Sequence, residues 1–481
     1  MSVLRSLAAN MAAIVSGKAM TAVAGLLTIM VLTRHLGPTE FGYYRTALTY
    51  CAFAAVLADC GLYMINLREM SRPGADPGRI AGNALALRFV STVSILIVAA
   101  AVAWATPYDL TVKWGVLVGA AIYTCLQASD FLVSIFQSVL KQGRNAVAEV
   151  VGALVTLAVV WVLATTGAGA LPMLGATFLG AALALGISWR LAYRLVRFRP
   201  SFDRALWHQF LVAGLPIAGA QILGMAMLRG DSLLLSFYQP ARDVGLYGVP
   251  SKLFEVATSI PYQFAGLMMP ALTAGARAGR LEFGTALRNA VDVGALYGVG
   301  AILALALFAP QFLTLMAGTE FAAGAPALVI IAFAIALAGM THLLRFALVA
   351  CERPRLVLMG DSIACVCAFA AYFALIPRYS FVGAAIGTVV AEVAAMICML
   401  IGLKRAGKPL PSLVNPVKAV FSGAVAAGGM VFMTRLDFPW LLSLVLGGLV
   451  YLAGLALTRA IPRELILSVL RRRRVAYQGS A

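Results

Sequence analysis

The chain has 481 residues, of which 62% are hydrophobic and only 12% charged, about half the charged share of a soluble domain. That composition excludes a soluble enzyme and gives a polytopic membrane protein. The formal charge of +18 suggests nucleic acid at first sight, but the placement of the 37 basic residues assigns it to membrane topology instead.

Fourteen apolar segments follow in chain order, at 8–32, 43–65, 80–105, 115–140, 146–167, 171–195, 207–230, 245–271, 286–308, 324–348, 356–376, 382–403, 416–434 and 439–460. The fold class expected is therefore an all-α integral membrane protein of about fourteen transmembrane helices. With the N-terminus inside, the cytoplasmic segments carry 27 Lys or Arg and the external loops seven. The remaining three, Lys18, Arg88 and Arg229, fall within spans. This asymmetry places both termini in the cytoplasm. The first span, interrupted by Lys18, reads as an uncleaved membrane segment. The run Arg471–Arg474 reads as a cytoplasmic stop signal near anionic lipid.

The first span holds Lys18 in a stripe with Asn10, Gly17, Thr21, Gly25 and Thr28, a small and polar face that should meet protein or water. It ends in Leu36-Gly37-Pro38-Thr39-Glu40-Phe41-Gly42-Tyr43-Tyr44, a sharp turn followed by aromatics suited to the membrane interface. A shift of 203 residues lays Phe41-Gly42-Tyr43-Tyr44 over Val244-Gly245-Leu246-Tyr247, and Lys18 over Gln221. Six spans separate the copies, so the halves run parallel about an axis along the membrane normal, with a cavity between them as the natural substrate site. The expected division is 1–200 and 201–409 for the two six-helix lobes, 410–460 for two extra helices and 461–481 for a basic tail.

Ionisable groups inside spans are costly, at least about 2.5–3.5 kcal/mol each unless paired or hydrated, and so mark function. In the fourth span Gln127, Asp130, Ser134, Gln137 and Lys141 form one polar rail, which either lines a cavity or bonds neighbouring helices. Lys18 and Arg88 are positioned to meet an anionic group from the cytoplasm, although the Arg88 stem is also long enough to snorkel to the interface. Arg229 has Asp231 close by, and Lys252 and Glu255 at i and i+3 neutralise one another or bind a ligand. Asp130 and Glu392, nearest mid-span, are the candidates for proton or sodium coupling. Asp59 lies at a hydrated cytoplasmic helix end and reads as structural. The three histidines and seven cysteines form no metal pattern, no catalytic constellation and no disulfide framework. No phosphate-cradling glycine loop is present, so no cofactor is expected and transport runs on a proton or sodium gradient or on membrane potential.

The first turn, together with Gly214-Leu215-Pro216, Arg229-Gly230-Asp231, Val244-Gly245-Leu246-Tyr247, Met316-Ala317-Gly318-Thr319-Glu320-Phe321, Ile376-Pro377-Arg378-Tyr379 and Val382-Gly383-Ala384-Ala385-Ile386-Gly387, resembles the polysaccharide-transporter branch of the flippase superfamily. That superfamily also holds the lipid II flippases and the multidrug and toxin extruders. The resemblance implies a V of two six-helix lobes in the bacterial inner membrane. It also implies a flippase, not an enzyme, for prenyl-diphosphate-linked oligosaccharide of O-antigen, exopolysaccharide or capsule type. Its implied partners are that lipid-linked glycan, membrane lipid, and a polysaccharide polymerase with chain-length proteins. The cationic central cavity that the resemblance implies maps onto Lys18, Arg88 and Arg229, and with the rail residues Gln127, Asp130 and Gln137 and the repeat position Gln221 these form the expected substrate-binding set. The alternatives that share this architecture are a lipid II-type flippase, a cation-coupled multidrug antiporter and a noncatalytic scaffold of a polysaccharide assembly complex.

Overall fold

A computed structural model describes residues 2–72, 74–139 and 141–460, and each expected apolar segment lies mostly on helix. The helices are α1 (Ser2–Asp59), α2 (Leu62–Met70), α3 (Pro77–Ala105), α4 (Leu110–Ser138), α5 (Gly143–Thr165), α6 (Ala170–Tyr193) and α7 (Arg204–Tyr238). They continue with α8 (Ala241–Ala278), α9 (Arg280–Leu305), α10 (Ala309–Ala317), α11 (Ala325–Ala350), α12 (Pro354–Arg405), α13 (Val414–Arg435) and α14 (Trp440–Leu457). A 3-10 turn at Thr319–Gly324 precedes α11, and the described residues contain no strand. The basic tail 461–481 lies outside the described residues. Among the described residues, ten helices are long and apolar enough to cross a membrane, or eleven when the two halves of α7, bent by 43°, count as one span.

Two of these helices each hold two expected segments. The first arm of α1 breaks at Gly37, whose φ of 66° and ψ of 179° lie in a region essentially restricted to glycine, and Pro38 opens the second arm. The corresponding break in α12 falls at Ser380, with φ 48°. The segment expected at 43–65 is interrupted, because Cys60 and Gly61 both take left-handed conformations and separate α2 from α1. Gly61 sits there against the Gly214 carbonyl and Ile217 of α7, where a side chain would collide. Asp59 is thereby left as the last residue of the second arm.

Contacts divide the chain into a unit of residues 1–246 with 316–320 and a unit of 247–315 with 321–481. In the first unit α1 packs on α3, α4, α5, α6 and α7, and α4 packs on α3 and α6. The expected lobe boundary at 200 falls inside this unit, because α7 packs on α1, α2 and α3. One end of the unit is filled by a core that includes Leu62, Phe131, Phe136, Phe198 and Phe210. Beside it Asp76 caps α3 by accepting from the Gly78 and Arg79 amides, and Asp203 caps α7 from Ala205 and Leu206. Arg79 reaches across to Asp203 at 2.6 Å, and its donated hydrogen bond holds that carboxyl below its ordinary pKa. In the second unit α11 packs on α9 and α12, and α13 and α14 pack on each other and on α9.

At the opposite end of the first unit the two motif copies meet. A side-chain carbon at Gly245 would fall on the Pro38 carbonyl, with the Gly42 nitrogen 3.1 Å away, and one at Gly42 would fall on the Ala241 carbonyl. Backbone thus rests directly on backbone at both matched glycines. Gly42→Ala is expected to destabilise the protein by about 1–3 kcal/mol, the usual cost of overpacking. Gly25→Ala, at a position with nothing within 4 Å, serves as the control. Thermal unfolding of both variants in the same detergent checks this, and equal midpoints would remove the close approach as a constraint.

Candidate functional site

The polar residues of the first unit's spans converge on one cavity of about 580 Å³. Six of the seven substrate-binding candidates line it: Lys18 from α1, Arg88 from α3, Gln127, Asp130 and Gln137 from α4, and Gln221 from α7. Arg229 does not. It stands eight residues beyond Gln221 on α7, which places it about 12 Å further along the helix and turned by about 80°. Glu392 lies on α12 in the second unit and takes no part in this cavity.

Arg88 neither snorkels nor stands free. It is buried, forms an ion pair with buried Asp59, and donates from Nη2 to Gln127 Oε1 at 3.1 Å. Gln127 in turn donates to the Ala55 carbonyl at 2.6 Å, and Ser91, one turn beyond Arg88, donates to the Ala58 carbonyl at 2.8 Å. The end of α1's second arm is thereby tied to α3 and α4 by a charge pair and its supporting amide. Asp59 is structural as expected, but its role is as counter-ion in the bundle and not as a hydrated helix end.

The α4 rail is divided. Ser134 is fully buried, accepts from Asn66 at 2.7 Å and does not reach the cavity, so this member holds the bundle together. Gln137 accepts from the Tyr63 hydroxyl at 2.6 Å, and both side chains still line the cavity. Asp130 is exposed to the cavity and makes no hydrogen bond among the described residues. Lys18 is likewise exposed, with no ion pair among the described residues. Gln221 turns a buried Oε1 toward the cavity with no protein partner.

Four polar lining residues were not among the substrate-site candidates: Asp59, Tyr63, Gln142 and Glu149. Glu149 accepts from Asn145 one turn earlier on α5 at 2.6 Å, and Asn145 accepts from Ser188 of α6 at 2.8 Å. An Asn and a Glu at i and i+4 in an apolar helix was the available signal. The cavity therefore carries two cationic side chains, Lys18 and Arg88, against three carboxylates, Asp59, Asp130 and Glu149. Once Arg88 and Asp59 neutralise each other, one ammonium and two carboxylates remain among amides and a phenol.

The family described as polysaccharide biosynthesis protein matches residues 7–274, more than half of the chain. The chain belongs to this family. No match is found among curated proteins. Among solved structures, the lipid II flippase MurJ in an inward closed conformation aligns with a TM-score of 0.78 at 13% identity, covering 94% of this chain and 98% of that one. An inward-facing multidrug resistance MATE family transporter of the MOP superfamily aligns with a TM-score of 0.63 at 16% identity, covering 80% and 94%. A MOP superfamily transporter from Pyrococcus furiosus, described as having a binding pocket of reverse polarity, aligns at 0.51 and 16% identity over 84% and 95%. This member of the polysaccharide biosynthesis family thus has the all-helical fold of MOP superfamily transporters and is a multi-pass membrane protein. The solved structures it resembles are described as flippases and transporters.

The buried ion pair sets a test. Replacing one partner leaves an uncompensated buried charge, so Arg88→Met is expected to destabilise by about 3–5 kcal/mol, and the double variant Arg88→Met/Asp59→Leu to recover most of that loss. Thermal unfolding of the single and double variants measures it; two additive losses would show the pair to be uncoupled.

Proposed function

We propose that this protein flips a prenyl-diphosphate-linked oligosaccharide from the cytoplasmic to the outer leaflet of a bacterial inner membrane, by alternating access. The observation that carries this reading is the convergence of Lys18, Gln127, Asp130, Gln137, Gln221 and Tyr63 on one cavity inside a membrane domain of a polysaccharide biosynthesis family member. Amides both donate and accept, and carboxylates accept bidentately, so this lining matches a rim of sugar hydroxyls better than an apolar drug. The Lys18 ammonium meets the diphosphate, while the prenyl chain stays in lipid.

No cofactor is required for this cycle. A head group with about two negative charges moving outward across an inside-negative membrane gains roughly 4.6 kcal/mol per 100 mV, which favours export. The excess of basic residues in alternate loops sets the orientation, with both termini inside, that this direction needs. The polysaccharide polymerase and chain-length proteins would receive the exported unit on the outer side.

A second reading rests on the two carboxylates Asp130 and Glu149, which outnumber the free ammonium. They suit a proton or sodium ion as coupling partner, or a cationic substrate, and the cation-coupled antiporter is therefore the rival. Proteoliposomes loaded with a prenyl-diphosphate oligosaccharide separate the two. Protein-dependent exposure of the head group is expected, and Lys18→Ala is expected to slow it at least about tenfold, the factor that corresponds to losing a hydrogen bond to a charged group. Translocation at the original rate in the variant would remove Lys18 from the site, and proton-linked uptake of organic cations without flipping would favour the antiporter.

A further inference from the structure

A second cavity of about 200 Å³ opens at the other end of the first unit, where Gly42 rests on Ala241. It lies among the start of α1's second arm, the α3–α4 connection and the α7–α8 turn. The residues that give it chemistry are Tyr43, Tyr108, Asp109, Phe237, Tyr238 and Gln239. Asp109 and Gln127 are eighteen residues apart along α4, about 27 Å, but on α7 the two linings approach to Leu228 and Ser236, about 12 Å apart.

Asp109 is the N-cap residue of α4 but makes no capping hydrogen bond, whereas Asp76 and Asp203 cap α3 and α7 in the usual way. Its carboxylate lines the pocket together with Tyr43. Tyr108 and Phe237 stack with centroids 5.5 Å apart and planes at 24°, and the Tyr108 hydroxyl is bonded to Ser236 at 2.9 Å. Phe237 and Tyr238 remain 45% and 49% exposed. Among the described residues, no lysine, arginine or histidine lines the pocket.

These features define a ligand. Exposed aromatic surface takes the apolar C–H face of a pyranose ring, while an acceptor-only carboxylate and an amide take hydroxyls at the ring's edge. The absence of a cation and the presence of Asp109 disfavour a phosphate or diphosphate. We propose that this pocket is a second saccharide subsite, which holds an uncharged or cationic sugar of the head group at the end of the unit opposite the cytoplasmic loops. That the sugar belongs to a carried lipid-linked glycan rests on the proposed function; the pocket's preference for a sugar ring rests on its own lining. Beyond transport itself, the site gives the glycan a place to be read on the far side of the carrier, by residues separate from those that receive the diphosphate.

Hydroxyl-radical footprinting of the full-length protein in detergent tests the assignment. The probe is the oligosaccharide released by mild acid from the lipid-linked pool of the producing cells. Oxidation of Phe237 and Tyr238 is read by mass spectrometry against that of Tyr63 and Met225 in the central cavity. Saturable protection of Phe237 and Tyr238 is expected, with the half-protecting concentration raised at least about tenfold in Asp109→Ala, in keeping with the loss of a hydrogen bond to a charged group. Tyr238→Ala, a change at a half-exposed ring, provides an independent variant, in which protection of Phe237 should weaken in the same sense. Unprotected Phe237 and Tyr238, or protection indifferent to Asp109→Ala, would overturn the subsite. Flipping measured on the same preparation judges the transport reading separately: flipping with an unprotected pocket discards only the subsite, and a protected pocket without flipping discards only the flippase.

Discussion

The buried pair of Arg88 and Asp59 is the interaction on which the polar interior of the first unit depends. Two charges removed from water are costly unless they meet each other, and less so when their remaining donors and acceptors are met as well. Here the two charges meet between α1, α3 and α4, and Gln127 bridges the guanidinium to the α1 backbone. Among the described residues Arg88 Nε and Asp59 Oδ2 stay buried without a hydrogen bond, so the pair is held by its charges more than by a full set of hydrogen bonds. The consequence is chemical as well as structural. By pairing with Arg88, Asp59 leaves the cavity's balance to Lys18, Asp130 and Glu149, one ammonium against two carboxylates.

The position of Asp59 follows in turn from backbone geometry. The left-handed residues Cys60 and Gly61 end α1 one residue later, and Gly61 is held there by close approach to Gly214. At the far end of the same arm, Gly37 turns the chain and Gly42 lies flat against Ala241. The second arm is thus fixed at both ends by glycine contacts. Between them its residues line the cavity at one end and the aromatic pocket at the other, since Tyr43 and Asp59 lie on one continuous helix.

Much of this was legible in the sequence, and the limits have physical causes. Long apolar runs announce helices because lipid leaves the backbone no other partner, and each expected segment is mostly helical. The same logic exposed Lys18, Gln127, Asp130, Gln137 and Gln221, since a polar group at that depth needs a reason, and the cavity supplies it. Pairing was not legible. Arg88 and Asp59 are 29 residues apart on different helices, and no local spacing records that they meet. By contrast Lys252 and Glu255, one turn apart, were readable as a pair and bond at 3.1 Å. Periodicity also gave Ser134 the same standing as Gln137, because position on a helix face cannot tell a side chain that reaches a cavity from one that stops against Asn66. Tyr43 read as an interfacial aromatic, and only the fold brings Asp109 and the α7–α8 turn to it.

The second unit handles the same problem with another arrangement. Arg345 of α11 pairs with Asp361 of α12 at 2.7 Å and contacts His342 Nδ1 at 2.8 Å, so its guanidinium is also committed to neighbours within the bundle. Glu392, further along α12, keeps a buried Oε2 without a hydrogen bond. In each unit, then, an arginine is matched to an aspartate, and a carboxylate, Asp130 or Glu392, is left with acceptor capacity unused. The arrangement commits Arg88 and Arg345 to the scaffold, and under the proposed function Lys18 and the carboxylates are the groups able to exchange partners. Such exchange is what a transport site requires, because a group already satisfied in the resting protein has nothing to gain when substrate arrives, and binding energy that favours one state over another must come from contacts made in only one of them.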